Sequence, residues 1–501
     1  MTIDATGWSL WRRGSPLALP PPVSEGSVIG VANSGEPVAW PVLHPERAGH
    51  LLLLGGSGTG KTTMMASALV DEIAAETDWS KEKRSAHFVI EPMKDDLGSA
   101  ILSGIAARCP ERLSDVIVAD PFRQPFPWNL VRLRTKTEPE IRAFQLANLA
   151  ATLSTASGSQ AHLGIGARQA DVMMHVCLGV LTASHPAANL TWSVDALMDP
   201  KGLTSLGAVT ASPRVRQFCG GYLSDELKAS CASRLRLAFA LTPAVERMFG
   251  ASACVQFAKL FAPGKIVLLA LGSPPGGQKE LAAFWASLFT RLAVDHLLER
   301  RSPWTGHAVR IVIDEAHLVA GVLADTAEML LTTGRSRGIA LVLATQTPVL
   351  FNEASTSLLR VLLTNAPMKT TGRLAAADAE AFVKERAPAR GVEETLTATR
   401  SRAFARLVNL EDREFVAIEA GRTRAFRTKD VDLEGWAKAA EVHADAIEAA
   451  RHRAALPEGS PAPVPLSVAS PPPERRGRRR EAVSASPSVS NAPTRARSRW
   501  G

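Results

Sequence analysis

The stretch HLLLLGGSGTGKTTMM, His50–Met65, joins a short apolar run to a glycine-rich segment that ends in a lysine and two threonines. Eight of its residues, Gly55–Thr62, match the pattern G-x-x-x-x-G-K-[ST] at every position. Glycines let a backbone wrap closely around phosphate oxygens, which a Cβ atom would obstruct. Leu51–Leu54 fits a buried strand, and Thr63–Ala75 has the apolar spacing of a helix. The stretch therefore predicts a phosphate-binding P-loop between a strand and a helix.

Phosphate contacts are expected along the whole loop, from nine residues: Gly55, Gly56, Ser57, Gly58, Thr59, Gly60, Lys61, Thr62 and Thr63. Lys61 would reach the β- and γ-phosphates, and the Thr62 hydroxyl would ligate Mg²⁺. A helix that begins near Gly60 adds the positive end of its dipole at the same place. The guanine-selecting pattern N/T-K-x-D is absent, because RTKDVD (Arg427–Asp432) has Val431 where the aspartate belongs. The predicted cofactors are therefore ATP and Mg²⁺.

The sequence AVRIVIDEAHLV, Ala308–Val319, predicts the other half of a catalytic site. Its apolar strand Val309–Ile313 ends at Asp314, and ligands of α/β sheets bind at the carboxyl ends of the strands. Asp314 would hold Mg²⁺ through water, and Glu315 would polarise the attacking water. A strand that ends in an acidic turn is common by itself, so these two roles depend on the P-loop upstream.

The segment TTGRSRGIALVLATQTP, Thr332–Pro348, carries three further catalytic candidates. Gln346 follows an apolar strand, where its amide would sense the γ-phosphate or orient water. Arg335 and Arg337 precede that strand, so we expect them to project away from their own site. An arginine there would complete a neighbouring subunit's site and neutralise charge during phosphoryl transfer. Arg335 is the favoured residue of the two, and the alternative is a pair of ordinary surface arginines.

Composition excludes several classes of protein. The chain has 501 residues, of which 46% are hydrophobic and 21% charged, enough for two or three globular domains. No run reaches the roughly 18 uninterrupted apolar residues of a membrane span, and the N-terminus lacks a signal-peptide pattern. Five widely spaced cysteines and eleven histidines form no recognised metal pattern, which indicates reduced thiols of a cytosolic protein and no structural metal.

The net charge of +8 is unevenly distributed. The last 45 residues, Pro457–Gly501, contain eight arginines and three glutamates and so carry +5 of it. The remaining residues are close to neutral, which excludes a strongly basic DNA-wrapping domain but not a few cations lining a channel.

Apolar runs separated by helical patterns predict an α/β fold with a parallel sheet of the RecA-like P-loop kind. The expected parallel strands are Leu51–Leu54, His87–Ile90, Val116–Ala119, Lys265–Leu271, Val309–Ile313 and Ile339–Ala344. Three later segments are expected to complete the sheet and its edge: Met368–Gly372, Phe404–Val408 and Phe415–Glu419.

The chain divides into five predicted regions. Residues 1–48 form a β-rich N-terminal segment, with strand-like pieces at Ser27–Ala32 and Glu36–Trp40, and residues 49–137 form the first part of the nucleotide-binding domain. Residues 138–250 have helical spacing throughout; we favour a separate, inserted all-α domain over extra helices packed on the sheet. Residues 251–456 complete the nucleotide-binding domain.

Residues 457–501 are rich in proline, serine and arginine and are predicted to be a disordered basic tail. Its run ERRGRRR, Glu474–Arg480, is suited to nucleic acid, an acidic partner or a membrane surface. A solvated tail without a specific partner is an equally good interpretation.

In their order and spacing, these motifs resemble a known family. GGSGTGKTT, VIEPMKDDL, a helical insertion, GKIVLLAL, IVIDEAHLV, GRSRGIALVLATQTP and LLTNAPMKT look like the type IV secretion coupling proteins of the TraG/TraD kind, and more broadly like the HerA–FtsK superfamily of DNA-pumping ATPases. The similarity runs from about Pro41 to Asp432. Lys61 and Asp314 lie 253 positions apart, and in coupling proteins an all-α domain occupies that interval.

The resemblance implies a hexameric ring that hydrolyses ATP between subunits, with Arg335 acting on the neighbour. Such rings move DNA or a nucleoprotein through a central channel. Two features depart from the family: the membrane-spanning helices are missing, and Glu91-Pro92-Met93-Lys94 stands where Asp-Pro-Lys is usual. We therefore expect a cytoplasmic protein, recruited to the inner face of the membrane by a partner or working on DNA within the cytoplasm.

Three functional hypotheses follow. The leading one is a ring-forming ATP-driven DNA translocase, with a secretion channel, relaxosome or nuclease as the associated partner. The second is a HerA-like cytoplasmic DNA-processing ATPase that works with a nuclease. The third is an ATP-dependent switch that docks substrates without processive motion. A metabolic kinase fits poorly, because Gln346 and the large helical insertion are more typical of a mechanical ATPase.

Overall fold

The computed structural model describes residues 27–41, 49–152, 166–272, 279–354, 357–386, 393–419, 422–455 and 463–468. Within them lies one sheet of eleven strands, in the spatial order β2-β1-β11-β10-β9-β3-β8-β7-β4-β6-β5. In chain order the strands are β1 Val28–Ala32, β2 Pro37–Ala39, β3 Leu51–Leu54, β4 Ala86–Glu91, β5 Val116–Ala119, β6 Ile266–Ala270, β7 Val309–Ile313, β8 Ile339–Thr345, β9 Met368–Thr371, β10 Glu414–Glu419 and β11 Arg422–Thr428.

Seven strands, from β9 to β5 in spatial order, are parallel, and the remaining four pair antiparallel at the other edge. Four of the parallel strands, β3, β5, β6 and β8, read as nearly continuous apolar runs because helices cover both faces of the sheet. The helices are α1 Lys61–Ala75, α2 Asp96–Arg108, α3 Pro139–Thr152, α4 Ala167–Leu181, α5 Trp192–Met198, α6 Gly202–Val209, α7 Pro213–Cys219, α8 Asp225–Phe239, α9 Pro243–Phe249, α10 Phe257–Leu260, α11 Lys279–Leu298, α12 Ala320–Thr333, α13 Phe351–Ala354, α14 Leu358–Asn365, α15 Ala376–Arg386, α16 Glu393–Val408, α17 Leu433–Val442 and α18 Ala444–His452.

Alternate residues of each strand enter two separate hydrophobic cores. Leu51 and Leu53 of β3 join a core with α1, α2 and α17. Leu52 and Leu54 face the other way, into a core with α11, α12 and α14. This alternation is the two-residue period of a strand, and it fixes which face of the sheet each side chain occupies.

Helices α3 to α10 lie between β5 and β6 in the chain, and α3 to α9 occupy the interval 138–250 that was predicted to be helical. Several begin at a side-chain cap: the hydroxyls of Ser212, Ser224 and Thr242 each accept a hydrogen bond from the backbone N–H three residues on, at the starts of α7, α8 and α9. Their buried residues belong to the same core as α11 and one face of the sheet. That these helices form a separate domain stays a prediction.

Helix α11 is a core element with an unusual composition. Among the described residues it is the one helix that is long and apolar enough to cross a membrane, with a mean hydropathy of 1.2. About two thirds of its apolar window, 67%, is buried inside the structure. The core helix of a globular protein has the same properties.

The predicted strand at Phe404–Val408 is wrong, because these residues form the last part of α16. Ala403 and Leu407 are buried positions of this helix, and their spacing of four residues is helical. The sheet instead takes β11, whose sequence RTRAFRT gave no apolar signal. Its Phe426 ring packs 5.8 Å from that of Phe415 on β10.

The two predicted N-terminal strands are present as β1 and β2, and they extend the antiparallel edge of the same sheet through β11. Residues 1–26 and 42–48 lie outside the described residues.

A short part of the tail departs from the predicted disorder. Leu466 is 1% exposed, and its backbone N–H donates to the Asp195 carboxylate at 3.1 Å. The Trp192 indole N–H donates to the Val464 carbonyl at 2.7 Å. The side chains of Trp192 and Asp195 on α5 thus hold residues 463–468 in place through hydrogen bonds to their backbone. The rest of the predicted tail, apart from these six residues, lies outside the described residues.

Candidate active site

The predicted site residues converge where β3, β8, β7 and β4 end, four neighbouring strands of the sheet. A cavity of about 240 Å³ opens there. It is lined by the loop after β3 and by residues that follow the other three strands: Ser57, Gly58, Thr59, Gly60, Lys61, Thr62, Thr63, Glu91, Pro92, Met93, Lys94, Asp314, Glu315 and Gln346. The cavity lies at the carboxyl edge of the parallel sheet, where such folds bind their ligands.

The loop has the backbone that its glycines predicted. Gly55, Gly58 and Gly60 have φ values of 154°, 78° and 92°, which side chains rarely tolerate. The backbone N–H groups of Gly55 and Gly56 donate to carbonyls of the fold, those of Thr345 and Arg373. Among the described residues, the N–H groups of 57–60 have no such partner. Free N–H groups at a helix N-terminus are suited to an anion such as a phosphate.

Lys61 begins α1 and is only 6% exposed. Its Nζ donates to the carbonyl oxygens of Gly55 at 2.5 Å and Gly56 at 2.9 Å. Burial lowers the pKa of the ammonium group, and the nearby carboxylates of Glu315 and Asp314 oppose that shift. Two neutral carbonyl oxygens therefore hold the ammonium group over the loop. A bound phosphate is negatively charged, so it would bind the ammonium group more strongly and displace them.

Asp314 and Glu315 follow β7 as predicted, and both are buried. Burial and the adjacent Glu315 raise the pKa of Asp314 to about 6. Glu315 has a φ of 49°, in the left-handed region, which is uncommon for a residue with a side chain. Strained backbone of this kind concentrates at functional sites, because the surrounding fold must hold it in place.

Glu315 is held by residues at the end of β8. The side-chain amide of Gln346 donates to Glu315 Oε1, and its backbone N–H approaches Oε2 at 3.4 Å. The His317 ring lies 3.5 Å from the same Oε2 and 2.9 Å from the Thr345 hydroxyl. The sequence placed Glu315 and Gln346 in one site but did not reveal that they contact each other. His317 was missed altogether, although it follows the acidic pair by two residues.

The segment after β4 contributes two residues with different tasks. Glu91 accepts hydrogen bonds from the backbone N–H groups of Leu97 at 2.7 Å and Gly98 at 2.9 Å, in the first turn of α2. Burial raises its pKa to about 8 despite those two bonds. Lys94 lines the cavity a few residues later. In the sequence Glu-Pro-Met-Lys, the Glu91 carboxylate thus fixes the start of α2, and Lys94 lies at the cavity.

The two candidate arginines lie at the amino end of β8, whereas Gln346 follows its carboxyl end. The seven-residue strand between them separates the two groups by roughly 23 Å. Arg337 donates to the backbone carbonyls of Leu298 and Arg300 and is tied to its own chain. Arg335 is exposed. The structure thus does not bring either arginine into the site of its own chain.

A second cavity, of about 190 Å³, adjoins the first through Gly60 and Thr63. Its other walls include Arg413, just before β10, and Thr428 and Asp430, at and after the end of β11. Arg413 has a φ of 68°, and its backbone N–H donates to the Thr59 carbonyl of the P-loop at 3.1 Å. Sequence analysis missed this cavity because β11 itself was not predicted.

Among solved structures, the chain is similar to VirB4 of Thermoanaerobacter pseudethanolicus, with a TM-score of 0.51 and 14% sequence identity, over 82% of this chain and 98% of that one. It also matches the unbound bacterial conjugative coupling protein TrwBdeltaN70, with a TM-score of 0.46 and 14% identity, over 85% and 92% of the two chains. The similarity to TrwB in complex with ADP and Mg²⁺ has a TM-score of 0.48 and 13% sequence identity, over 80% of this chain and 89% of that one.

No family model matches the chain, and no curated protein matches its sequence. The likeness to VirB4 confirms the predicted α/β P-loop fold.

Proposed function

We propose that this chain is an ATPase that binds ATP with Mg²⁺ and cleaves the γ-phosphate. The observation that carries the proposal is the convergence of Lys61, Thr62, Asp314, Glu315 and Gln346, from three separate parts of the chain, around one cavity. A lysine with free backbone N–H groups suits the phosphates. Hydroxyl and carboxylate oxygens are the ligands that Mg²⁺ prefers, and here Thr62 and Asp314 would supply them.

The two adjoining cavities divide the nucleotide between them. The first takes the phosphates and the metal, which would neutralise phosphate charge during transfer. The second, beside Gly60 and Thr63, has the position and size for the base and ribose. Its Arg413 and Asp430 form an ion pair of 2.6 Å that would meet the sugar or base edge.

Two rearrangements follow from the contacts in the site. Lys61 would leave the Gly55 and Gly56 carbonyls for the phosphates. Glu315 would exchange its contact with the Gln346 amide for the attacking water, because a carboxylate that already accepts an amide N–H polarises water less well. Gln346 would then be free to sense the γ-phosphate. The site as it stands is thus a resting arrangement that nucleotide binding converts.

We further propose that hydrolysis drives DNA or a nucleoprotein through a homo-oligomeric ring, a hexamer by resemblance. Exposed Arg335 supports this, since it lies at the sheet edge away from its own site and is available to a neighbour. Arg337, bound to two carbonyls of its own chain, is a poorer candidate for that role. The proposal places the protein in the cytoplasm, recruited to the inner face of the membrane by a secretion-channel or relaxosome partner, or to DNA with a nuclease.

ATPase turnover of the purified chain, with and without single- or double-stranded DNA at low and high salt, tests both parts of the proposal. We expect hydrolysis that DNA stimulates at low salt, with the stimulation lost as salt rises. Turnover that does not change when DNA is added would contradict DNA translocation and favour a docking switch. Absence of any turnover would contradict the proposed ATPase activity. Mass measurement with a nonhydrolysable nucleotide tests the ring, and a monomer under all conditions would remove the role of Arg335.

A further inference from the structure

A second polar cluster lies at the opposite end of the same strands, beneath the last turns of α1. Glu72, in the last turn of α1, and Glu76, the residue that caps its C-terminus, are four residues apart and lie on one face of the helix. His87 on β4 is the register partner of Arg310 on β7, so both side chains lie on the same face of the sheet. The proposed ATPase uses none of these four residues.

His87 is the unusual member of this cluster. It is 1% exposed, and neither of its ring nitrogens has a hydrogen-bond partner among the described residues. A buried polar group without a partner costs about 1–3 kcal/mol, and an imidazole has two such groups. A metal ion bound to one ring nitrogen would remove part of this cost.

The atoms around His87 have the composition of a metal site. One oxygen from Glu72, one from Glu76 and one ring nitrogen of His87 all lie within 4.8 Å of one another. Both carboxylates are oriented by a second contact: Ser85 N–H donates to Glu76 at 2.8 Å, and Arg310 Nε donates to Glu72 at 3.2 Å. Outer contacts of this kind fix metal ligands in place.

The charges leave room for a cation even though Arg310 is present. Arg310 offsets the charge of Glu72, and Arg112 is bound to Asp115 at 3.1 Å. Glu76 forms no direct ion pair among the described residues: its carboxylate accepts the Ser85 N–H, and Arg112 acts on it only at longer range. Neither ring nitrogen of His87 is engaged in a hydrogen bond among the described residues, so one of them is available to ligate a metal.

We propose that Glu72, Glu76 and His87 bind a divalent transition metal, for which Zn²⁺ is the best match. One imidazole and two carboxylates are common zinc ligands, and a fourth position would be taken by water. The ion would tie the end of α1 to β4. It is distinct from the Mg²⁺ proposed above, because Glu72 lies eleven residues beyond Lys61 on one helix, roughly 16 Å away. The site escaped sequence analysis because its ligands have no short, recognisable spacing.

Elemental analysis of the full chain, purified without chelators, is the first test. We expect about one Zn²⁺ per chain, and apoprotein prepared with a chelator should take up one equivalent of added Zn²⁺ with a rise in Tm. His87→Asn and Glu76→Gln should each weaken uptake at least about 100-fold. The matched control is His307→Asn, because His307 already bonds the Phe261 carbonyl at 2.7 Å and should not affect uptake.

Two further measurements keep the test independent of the ATPase and of the thiols. Lys61→Ala should retain the metal whether or not the chain hydrolyses ATP, so failure of one proposal does not imply failure of the other. In Co²⁺-substituted protein, thiolate charge-transfer absorption would assign the metal to cysteines and overturn the proposal. Wild-type protein that contains no transition metal and takes up none would overturn it directly, even if the variants do not fold.

Discussion

Strands β4 and β7 carry charged residues at both ends, yet the two ends differ in kind. At the carboxyl ends, Glu91 and Asp314 border an open cavity of about 240 Å³. At the amino ends, His87 and Arg310 are 1% and 0% exposed and are covered by α1. Groups around the cavity keep unused hydrogen-bonding capacity that a nucleotide can take up. At the closed end Arg310 pairs with Glu72 and Glu76 accepts the Ser85 N–H, whereas both ring nitrogens of His87 have no hydrogen-bond partner among the described residues.

Backbone conformation differs less sharply between the two ends. At the open end, Gly58, Gly60 and Glu315 have positive φ, and Glu315 is the one of these three that carries a side chain. At the amino ends of the neighbouring parallel strands, positive φ values belong to glycines, Gly264 before β6 and Gly338 before β8. The costlier conformation, that of Glu315, therefore lies beside the open cavity. Four predictions test this difference between the open and the closed end.

The largest effect is expected at the strained residue of the open end. Glu315→Gln should lower kcat for ATP about 1,000-fold, because general-base catalysis contributes about 10²–10⁴-fold. ATP affinity should change little, since the substitution preserves size and removes only the base. Stopped-flow binding of a fluorescent ATP analogue, with steady-state turnover, separates the two quantities. Unchanged kcat would remove Glu315 from the chemistry.

Lys61→Ala should lower kcat/KM about 100- to 1,000-fold, the range for losing one preorganised group that stabilises transferring charge. Nucleotide affinity should fall as well, unlike in Glu315→Gln. Lys81→Ala is the matched control, since the Lys81 side chain is 61% exposed and far from the cavity lining. Equal effects of the two substitutions would contradict the role of Lys61.

At the closed end the expected loss is in stability. Arg310→Met should lower the free energy of unfolding by about 3 kcal/mol, because it leaves Glu72 buried without its cation. Nucleotide affinity should remain within about twofold. Arg424→Met is the control, since its pair with Glu419 is partly exposed and worth under about 1 kcal/mol. Denaturant unfolding of both variants measures the difference, and losses of equal size would erase the contrast between buried and exposed pairs.

The smallest effect is a pH dependence at the open end. Asp314 must be ionised to hold Mg²⁺, and its pKa is raised to about 6, so the ionised fraction decreases as the pH falls through 6. We expect kcat/KM to fall about tenfold per pH unit below that value. Raising the Mg²⁺ concentration should move the decline to lower pH, because metal and proton compete for the carboxylate. A flat profile down to pH 5 in protein that remains folded would exclude this titration.

The parallel core of the sheet was predictable from local pattern. Leu51–Leu54, Val116–Ala119 and Val309–Ile313 were predicted with the bounds that the structure has. Strands buried on both faces read as unbroken apolar runs, and this signal needs no knowledge of neighbours. The P-loop and the acidic pair after β7 were predictable for a related reason: their chemistry requires particular residues in consecutive positions.

The sequence alone was therefore enough to predict the parallel core of the sheet and to propose which residues contact phosphate. Tertiary structure alone decided the contact between Glu315 and Gln346, the docking of Leu466 and the cluster around His87. Arg310 bonds Glu72 across 238 positions of the chain, and strand order, not local hydrophobicity, brings the two together. The spacing of apolar residues along a strand or helix depends on residues close in sequence. Contacts between distant side chains depend on the order of the strands, so they are defined only in the folded chain.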